Sequence, residues 1–227
     1  MRNLKPNMKL PGLAVFDMDS TLIAMESIDA IAAAAGYGEE VAAITEAAMR
    51  GELDFTQALH ARVQKLAGVS EHLIFDMCND LPFMPGADKL IAWFKQHRWR
   101  IIIVSGGFTW FADEAARRFN ADHVSCNVLE VKQGKLTGRL LGDIVDAAAK
   151  KHTLLALAQM YGLDIQQVVA IGDGANDIPM LQAAGTGIAF MAKPALREVA
   201  DICIDCPDLS LIINALDGLT NSNEHVD

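Results

Sequence analysis

Apolar and polar positions follow two rhythms along this chain. Short runs rich in Val, Ile and Leu occur at Leu13–Phe16, Arg100–Val104, Val168–Ile171, Gly187–Phe190 and Ile202–Ile204. Their length suits buried strands, and polar residues or glycine stop most of them. Between the runs lie the helical patterns Ala87–His97, Trp110–Phe119, His152–Tyr161 and Ile178–Ala184. Strand alternating with helix predicts an α/β fold, a Rossmann-like parallel sheet with helices on both faces.

One interval breaks the alternation. Residues 24–84 contain no strand-like run, and Ile28/Ile31, Val41/Ile44/Ala48, Leu59/Val63/Leu66 and Leu73/Ile74/Met77 recur at helical spacing. Gly36, Gly38, Gly51 and Gly68 divide this stretch into about four helices, and Pro82 with Pro85-Gly86 marks the return to the alternating pattern. The expected organisation is a core of residues 1–23 and 85–217, a helical cap at 24–84, and a flexible tail at 218–227. A smaller interruption at Asn127–Gly138, where apolar and polar residues alternate up to Gly134, predicts a hairpin.

Composition narrows the function classes. Of 227 residues, 52% are hydrophobic, which excludes a disordered chain. The net charge of -10 disfavours non-specific nucleic-acid binding, which needs a cationic face. No apolar run approaches the ~20 residues of a membrane span, so no membrane partner is expected. The apolar stretch after Lys9 stops at Asp17, too soon for a secretory signal, so a mature N-terminus and a cytoplasmic location are expected. Cys203 and Cys206 form a CxxC with no second pair spaced for zinc, so buried or reduced thiols are the simpler reading.

The polar residues at strand ends carry the chemistry, because ligands of open α/β sheets bind outside the carboxyl ends of the strands. Asp17 and Asp19 follow the first run. Two carboxylates there can divide the work, one binding metal and attacking an electrophile, the other moving a proton. A helix-capping or turn role would explain them equally well in isolation. Ser105-Gly106-Gly107 offers a hydroxyl and open backbone to an anion, or forms an ordinary strand-to-helix turn. In Gly172-Asp173-Gly174-Ala175-Asn176-Asp177 the oxygens suit a hard divalent cation. Lys150-Lys151 could neutralise a phosphoryl group, although a lysine pair by itself reads as solvated.

In this order, DxDST at Asp17–Thr21, SGG at Ser105–Gly107, Lys150 and GDGAND at Gly172–Asp177 resemble the four motifs of the haloacid-dehalogenase-like hydrolases, and within them the phosphoserine phosphatases. The stretches Ala48–Phe55, Gly134–Gly138 and Ala192–Pro194 extend the likeness from about Leu13 to Leu216.

The resemblance implies that Asp17 is a nucleophile forming an aspartyl-phosphate and that Asp19 is the general acid/base. Mg2+ would be held by Asp17, the Asp19 backbone carbonyl and Asp173, with Asp177 in support. Ser105, Gly106, Lys150 and Asn176 would bind phosphate. The implied reaction is hydrolysis of O-phospho-L-serine to L-serine and phosphate, the last step of serine biosynthesis. On the cap, Glu26 matches the position contacting the substrate amino group, Arg62 its carboxylate, and Met49 and Phe55 apolar neighbours.

A bidentate guanidinium suits a carboxylate, yet Arg62 could also pair with a nearby Glu, and Glu26 could be a first-turn helix carboxylate. His60 stands where relatives often carry a second Arg and is expected on the surface or rim. About twelve residues precede the first run, so regulation through an N-terminal extension is not expected. Two alternatives stand beside this reading: a related phosphatase or phosphotransferase for another amino-acid phosphate, and a non-catalytic phospho-aspartate signalling module.

Overall fold

The computed structural model describes residues 6–221, without the side chains of Met49 and of residues 218–221. Among the described residues, seven strands form one sheet. They are β1 (Leu13–Phe16), β2 (Arg100–Phe108), β3 (His123–Lys132), β4 (Lys135–Leu141), β5 (Val168–Gly172), β6 (Thr186–Phe190) and β7 (Ile202–Ile204), in the order β4-β3-β2-β1-β5-β6-β7. All neighbours are parallel except β3 and β4.

Strand β1 lies between β2 and β5, with Phe16 opposite Ile103 on one side and Ile171 on the other. It is buried throughout, which explains why its four residues are all apolar. Alternate residues feed two cores. Ala14, Phe16, Ile101, Ile103 and Ile171 pack with α5 (Ala87–Gln96), α6 (Thr109–Phe119) and α10 (Leu211–Asn221). Leu13, Val15, Ile102, Val104 and Ala170 pack with α7 (Ala147–Met160) and α8 (Ile178–Ala183). A short helix, α9 (Pro194–Arg197), adds Leu196 to the second core. Helices therefore cover both faces, as the alternating pattern predicts.

The interval after β1 forms four helices, α1 (Ser27–Ala34), α2 (Gly38–Met49), α3 (Phe55–Lys65) and α4 (Glu71–Asn79). Asp54 begins α3 with a capping box to Gln57, and the Ser70 hydroxyl caps α4 by accepting from the His72 N–H. The β3–β4 hairpin turns through Gln133 and Gly134, both at positive φ (53° and 71°), the conformation of a type I′ turn. This hairpin also grips the helical interval. Gly68 N–H donates to Leu136 O at 2.8 Å, Leu136 N–H to Val69 O at 2.8 Å, and Glu71 N–H to Gly134 O at 2.9 Å.

Three elements depart from the sequence pattern. Strand β2 continues past Val104 through the two glycines to Phe108, so Ser105–Gly107 lies within a strand instead of a turn. The hairpin strand begins earlier, at His123, and its first half pairs in parallel with β2. Helix α10 carries the chain through Asn221 into the segment expected as tail, and residues 222–227 lie outside the described residues. Cys203 and Cys206 are exposed free thiols. Among the described residues no helix is long and apolar enough to cross a membrane.

Candidate active site

The central strands end side by side, so the polar residues that follow them converge. Asp17 extends β1, its N–H donating to Ile171 O at 2.9 Å. Its Oδ1 accepts from Lys150 Nζ at 2.7 Å, and the same ammonium donates to Asp177 Oδ1 at 2.7 Å. Lys150 sits in the first turn of α7, whose N-cap Asp146 accepts from Ala149 N–H at 2.8 Å. The solvated-pair reading therefore fails for Lys150, which is completely buried, and holds for the exposed Lys151. Burial works against the ammonium, but Asp17 and Asp177 outweigh it and keep its pKa above the ordinary lysine value. Two of its three N–H groups are committed to carboxylates, which leaves one for a ligand.

Asp177 is fully engaged. Its Oδ2 accepts from the backbone N–H of Asp173 at 3.2 Å and of Gly174 at 3.1 Å. A Cβ on Gly172 would fall 2.4 Å from that oxygen, so the turn closes around Asp177 only with glycine there. Carboxylate oxygens of Asp17, Asp173 and Asp177 lie within 4.8 Å of one another. Burial pushes Asp17 well above the usual carboxylate range, reinforced by Asp177 and opposed by Lys150. Burial, then Asp177 and Glu26, pushes Asp173 up to about 7. Three buried carboxylates share one ammonium, an excess of negative charge that a divalent cation would neutralise. The donor set is all oxygen, as a hard cation requires. Since Asp177 has both oxygens occupied, Asp17 and Asp173 are the side chains with capacity left for an ion.

The loop after β1 doubles back tightly. Met18 O accepts from the N–H groups of Thr21, Leu22 and Ile23, and Ser20 adopts a left-handed φ of 57°, costly for a residue other than glycine. The fold-back brings the start of α1 to Asp19. Asp19 Oδ2 accepts from Ser27 N–H at 2.9 Å and Ser27 Oγ at 2.6 Å. Its Oδ1 is buried without a partner. Burial raises the Asp19 carboxyl to about 6, against the pull of the Ser27 bonds. Such a carboxyl exchanges a proton readily near neutral pH.

Strand β2 contributes Ser105–Gly107 through a break in its register. Three of its residues, Ser105–Gly107, stand opposite the single Cys126 of β3, and pairing resumes at Phe108 and Asn127. The extra length makes a bulge. Inside it the buried Ser105 Oγ accepts from Gly107 N–H at 2.9 Å.

Above these groups is a cavity of about 410 Å³, lined by Asp17, Asp19, Ser105, Gly106, Asp173 and Asn176 from below and by Glu26, Phe55 and Arg62 from the helical side. The exposed Glu26 accepts from Ser20 Oγ at 2.7 Å; it occupies the N-cap position of α1 and makes no capping bond. Arg62 is half-buried, and its Nε donates to Ala58 O at 3.3 Å within the helix. Among the described residues it has no carboxylate within 4.0 Å, so the ion-pair alternative is not realised. Phe55 opens α3 with its Cζ 3.6 Å from where a Cβ on Gly106 would be, so the helical side reaches the β2 bulge. His60 is exposed and outside the cavity wall, as expected. Met49 ends α2, and its side chain lies outside the described residues.

Sequence reasoning missed three contributors. Ser27 anchors Asp19, Asn127 joins the bulge to the lead-in of α7, and Lys193 lines the cavity while its N–H donates to Asp173 O at 3.0 Å. Ser27 was findable as a hydroxyl directly after Glu26, and Lys193 lay inside an already noted stretch. Asn127 carried only the weak signal of an amide at the start of the alternating hairpin stretch.

The family model of haloacid dehalogenase-like hydrolases matches residues 14–182. The chain is 47% identical over 199 residues to a phosphoserine phosphatase of Vibrio cholerae, covering 88% of this chain and 61% of that protein. It therefore spans about six tenths of that relative's length. It is 49% identical over 205 residues to a phosphoserine phosphatase of Idiomarina loihiensis, covering 90% of this chain and 93% of that one. Among solved structures, a phospho-aspartyl intermediate analogue of phosphoserine phosphatase superposes with a TM-score of 0.85 at 40% identity, covering 91% of this chain and 99% of the other.

Proposed function

The chain belongs to the haloacid dehalogenase-like hydrolases, and we propose that within them it is a Mg2+-dependent phosphatase converting O-phospho-L-serine to L-serine and phosphate. The observation that carries this reading is one cavity holding both halves of such a site. Asp17, held by the buried Lys150 at the start of α7, and Asp173 lie at the strand ends, while Glu26 and Arg62 line the helical side. The phosphoserine phosphatase names of its relatives support the substrate.

Asp17 is the nucleophile. Its carboxylate attacks the phosphorus, forming an aspartyl-phosphate as the bond to the serine oxygen breaks. Asp19, protonated at its unpartnered Oδ1, gives its proton to that leaving oxygen. It then takes a proton from the water that attacks the aspartyl-phosphate, which restores Asp17 and releases phosphate. The Ser105 hydroxyl, the Gly106 N–H, the free N–H of Lys150 and Asn176 hold the phosphoryl oxygens. Placing fixed donors where charge accumulates is the main demand of phosphoryl transfer.

Asp17, Asp173 and the Asp19 carbonyl would hold Mg2+, with Asp177 pinned between Lys150 and the backbone to keep the turn in shape. The ion would neutralise phosphoryl charge and lower the repulsion between attacking and attacked groups.

Residues 24–84 act as the cap over this core. Glu26 takes the substrate ammonium and Arg62 its carboxylate, with Phe55 as an apolar neighbour. The test is phosphate release from a panel of phosphomonoesters with and without Mg2+. The expected result is Mg2+-dependent turnover with phosphoserine clearly preferred, and no preference for it would overturn the substrate assignment.

A further inference from the structure

A strand bulge breaks the regular ladder, and the groups it frees need other partners. At the β2 bulge one side chain supplies them. Asn127 is 1% exposed. Its Nδ2 donates to Gly106 O at 2.8 Å, and its Oδ1 accepts from Val145 N–H at 2.9 Å. The peptide joining Gly106 to Gly107 is thus pinned at both ends, its carbonyl by Asn127 and its N–H by Ser105 Oγ. Val145 directly precedes Asp146, which caps α7 and whose carbonyl accepts from Lys150 N–H at 2.9 Å. One amide therefore ties the strand carrying Ser105 and Gly106 to the turn carrying Lys150.

We propose that Asn127 is a positioning residue that sets the Ser105-Gly106 anion seat at its working distance from Lys150. The inference rests on the phosphatase reading above and adds a residue to it. Asn127 does not reach the substrate; it acts by denying the bulge and the α7 turn independent movement. An amide suits this role because a single planar group must donate to a carbonyl on one side and accept from an N–H on the other. Aspartate keeps the acceptor and loses the donor, and alanine loses both.

The test compares Asn127→Ala and Asn127→Asp with the parent chain, each assayed well below its own melting temperature. Inorganic phosphate, which engages the seat but not the cap, reads the positioning role, and L-serine, which engages the cap, serves as the control. For both variants phosphate inhibition should weaken about tenfold and kcat fall roughly 10–100-fold, while L-serine inhibition stays within about twofold.

Unchanged phosphate inhibition in a folded variant would overturn the proposal. So would equal weakening of phosphate and L-serine, full phosphate binding in Asn127→Asp, or failure of both variants to fold, which would make Asn127 a determinant of the core. A parent chain inactive on phosphoserine would sink the substrate reading alone. Phosphate inhibition of p-nitrophenyl phosphate hydrolysis would then still report on Asn127.

Discussion

The two walls of the cavity are built differently. On the core side Asp17 is buried, and behind the lining Lys150 locks it to the buried Asp177 through contacts of 2.7 Å. On the helical side Glu26 and Phe55 are exposed, Arg62 is half-buried, and the two charged side chains make a single hydrogen bond each. The contrast fits the roles proposed for the two walls. Charges that stabilise a transition state lose their value if they must reorient during reaction, so they are fixed in advance and kept from water. Side chains that admit a substrate must move aside and close again, so they stay near solvent with few fixed partners.

The largest expected effect comes from breaking the core wall at the nucleophile. Asp17→Asn should lower kcat on the order of 10⁵-fold in a phosphate-release assay, with the fold intact by circular dichroism. Retention of full activity would remove the covalent route. Stripping divalent ions with EDTA should likewise bring turnover to background, and added Mg2+ should restore it.

Next is Lys150→Met, which leaves the buried Asp17 and Asp177 without their shared cation. Breaking a buried pair on one side costs about 3–5 kcal/mol, so thermal unfolding should shift down by many degrees along with the loss of activity. A variant as stable as the parent would mean that the core wall is not held by its charges.

The cap wall should respond in affinity and not in stability. Arg62→Ala should raise KM for phosphoserine about 10–100-fold, the worth of a charge-assisted bond, and leave turnover of p-nitrophenyl phosphate within about twofold. Equal losses on both substrates would make Arg62 structural and erase the contrast between the walls. The smallest effect is expected at His60, exposed and off the cavity, where His60→Ala should change kcat/KM by less than about twofold.

The same contrast explains what could be read in advance. Strand ends of a parallel sheet are where ligands bind, so Asp17, Ser105 and Asp173 declared themselves once the buried runs before them were recognised. The four helices after β1 were legible because their apolar spacing and the glycines between them agree. Glycine also misled. In Ser105–Gly107 it suggested a turn, whereas the strand bulges and continues to Phe108. The first half of β3, His123–Cys126, is only partly buried and mixes polar with small residues, so it lacked a strand signature. Lys150 was ambiguous for a physical reason: a fully buried lysine and a solvated one look alike in sequence, and only the two carboxylates that fold around it separate them. The engagement of both Asp177 oxygens was equally invisible, since it depends on the backbone N–H groups of the turn.

The central position of β1 has a consequence for the order in which this molecule comes into being. Leu13 pairs with Arg100 on one side and Val168 on the other. Asp17 is thus synthesised well before its neighbour strand β5 and the GDGAND turn. At ribosomal rates of roughly 5–20 residues per second, Asp17 waits on the order of ten seconds for Asp173 and Asp177. The thermodynamic penalty for that wait is small, because closure entropy grows only with the logarithm of the intervening length, about 0.6 kcal/mol per doubling. The kinetic effect is large, because distant strand pairings form slowly. A nascent chain that has reached only β1 therefore carries Asp17 without Asp173 and Asp177, and the carboxylate cluster assembles only once β5 and the turn after it have emerged.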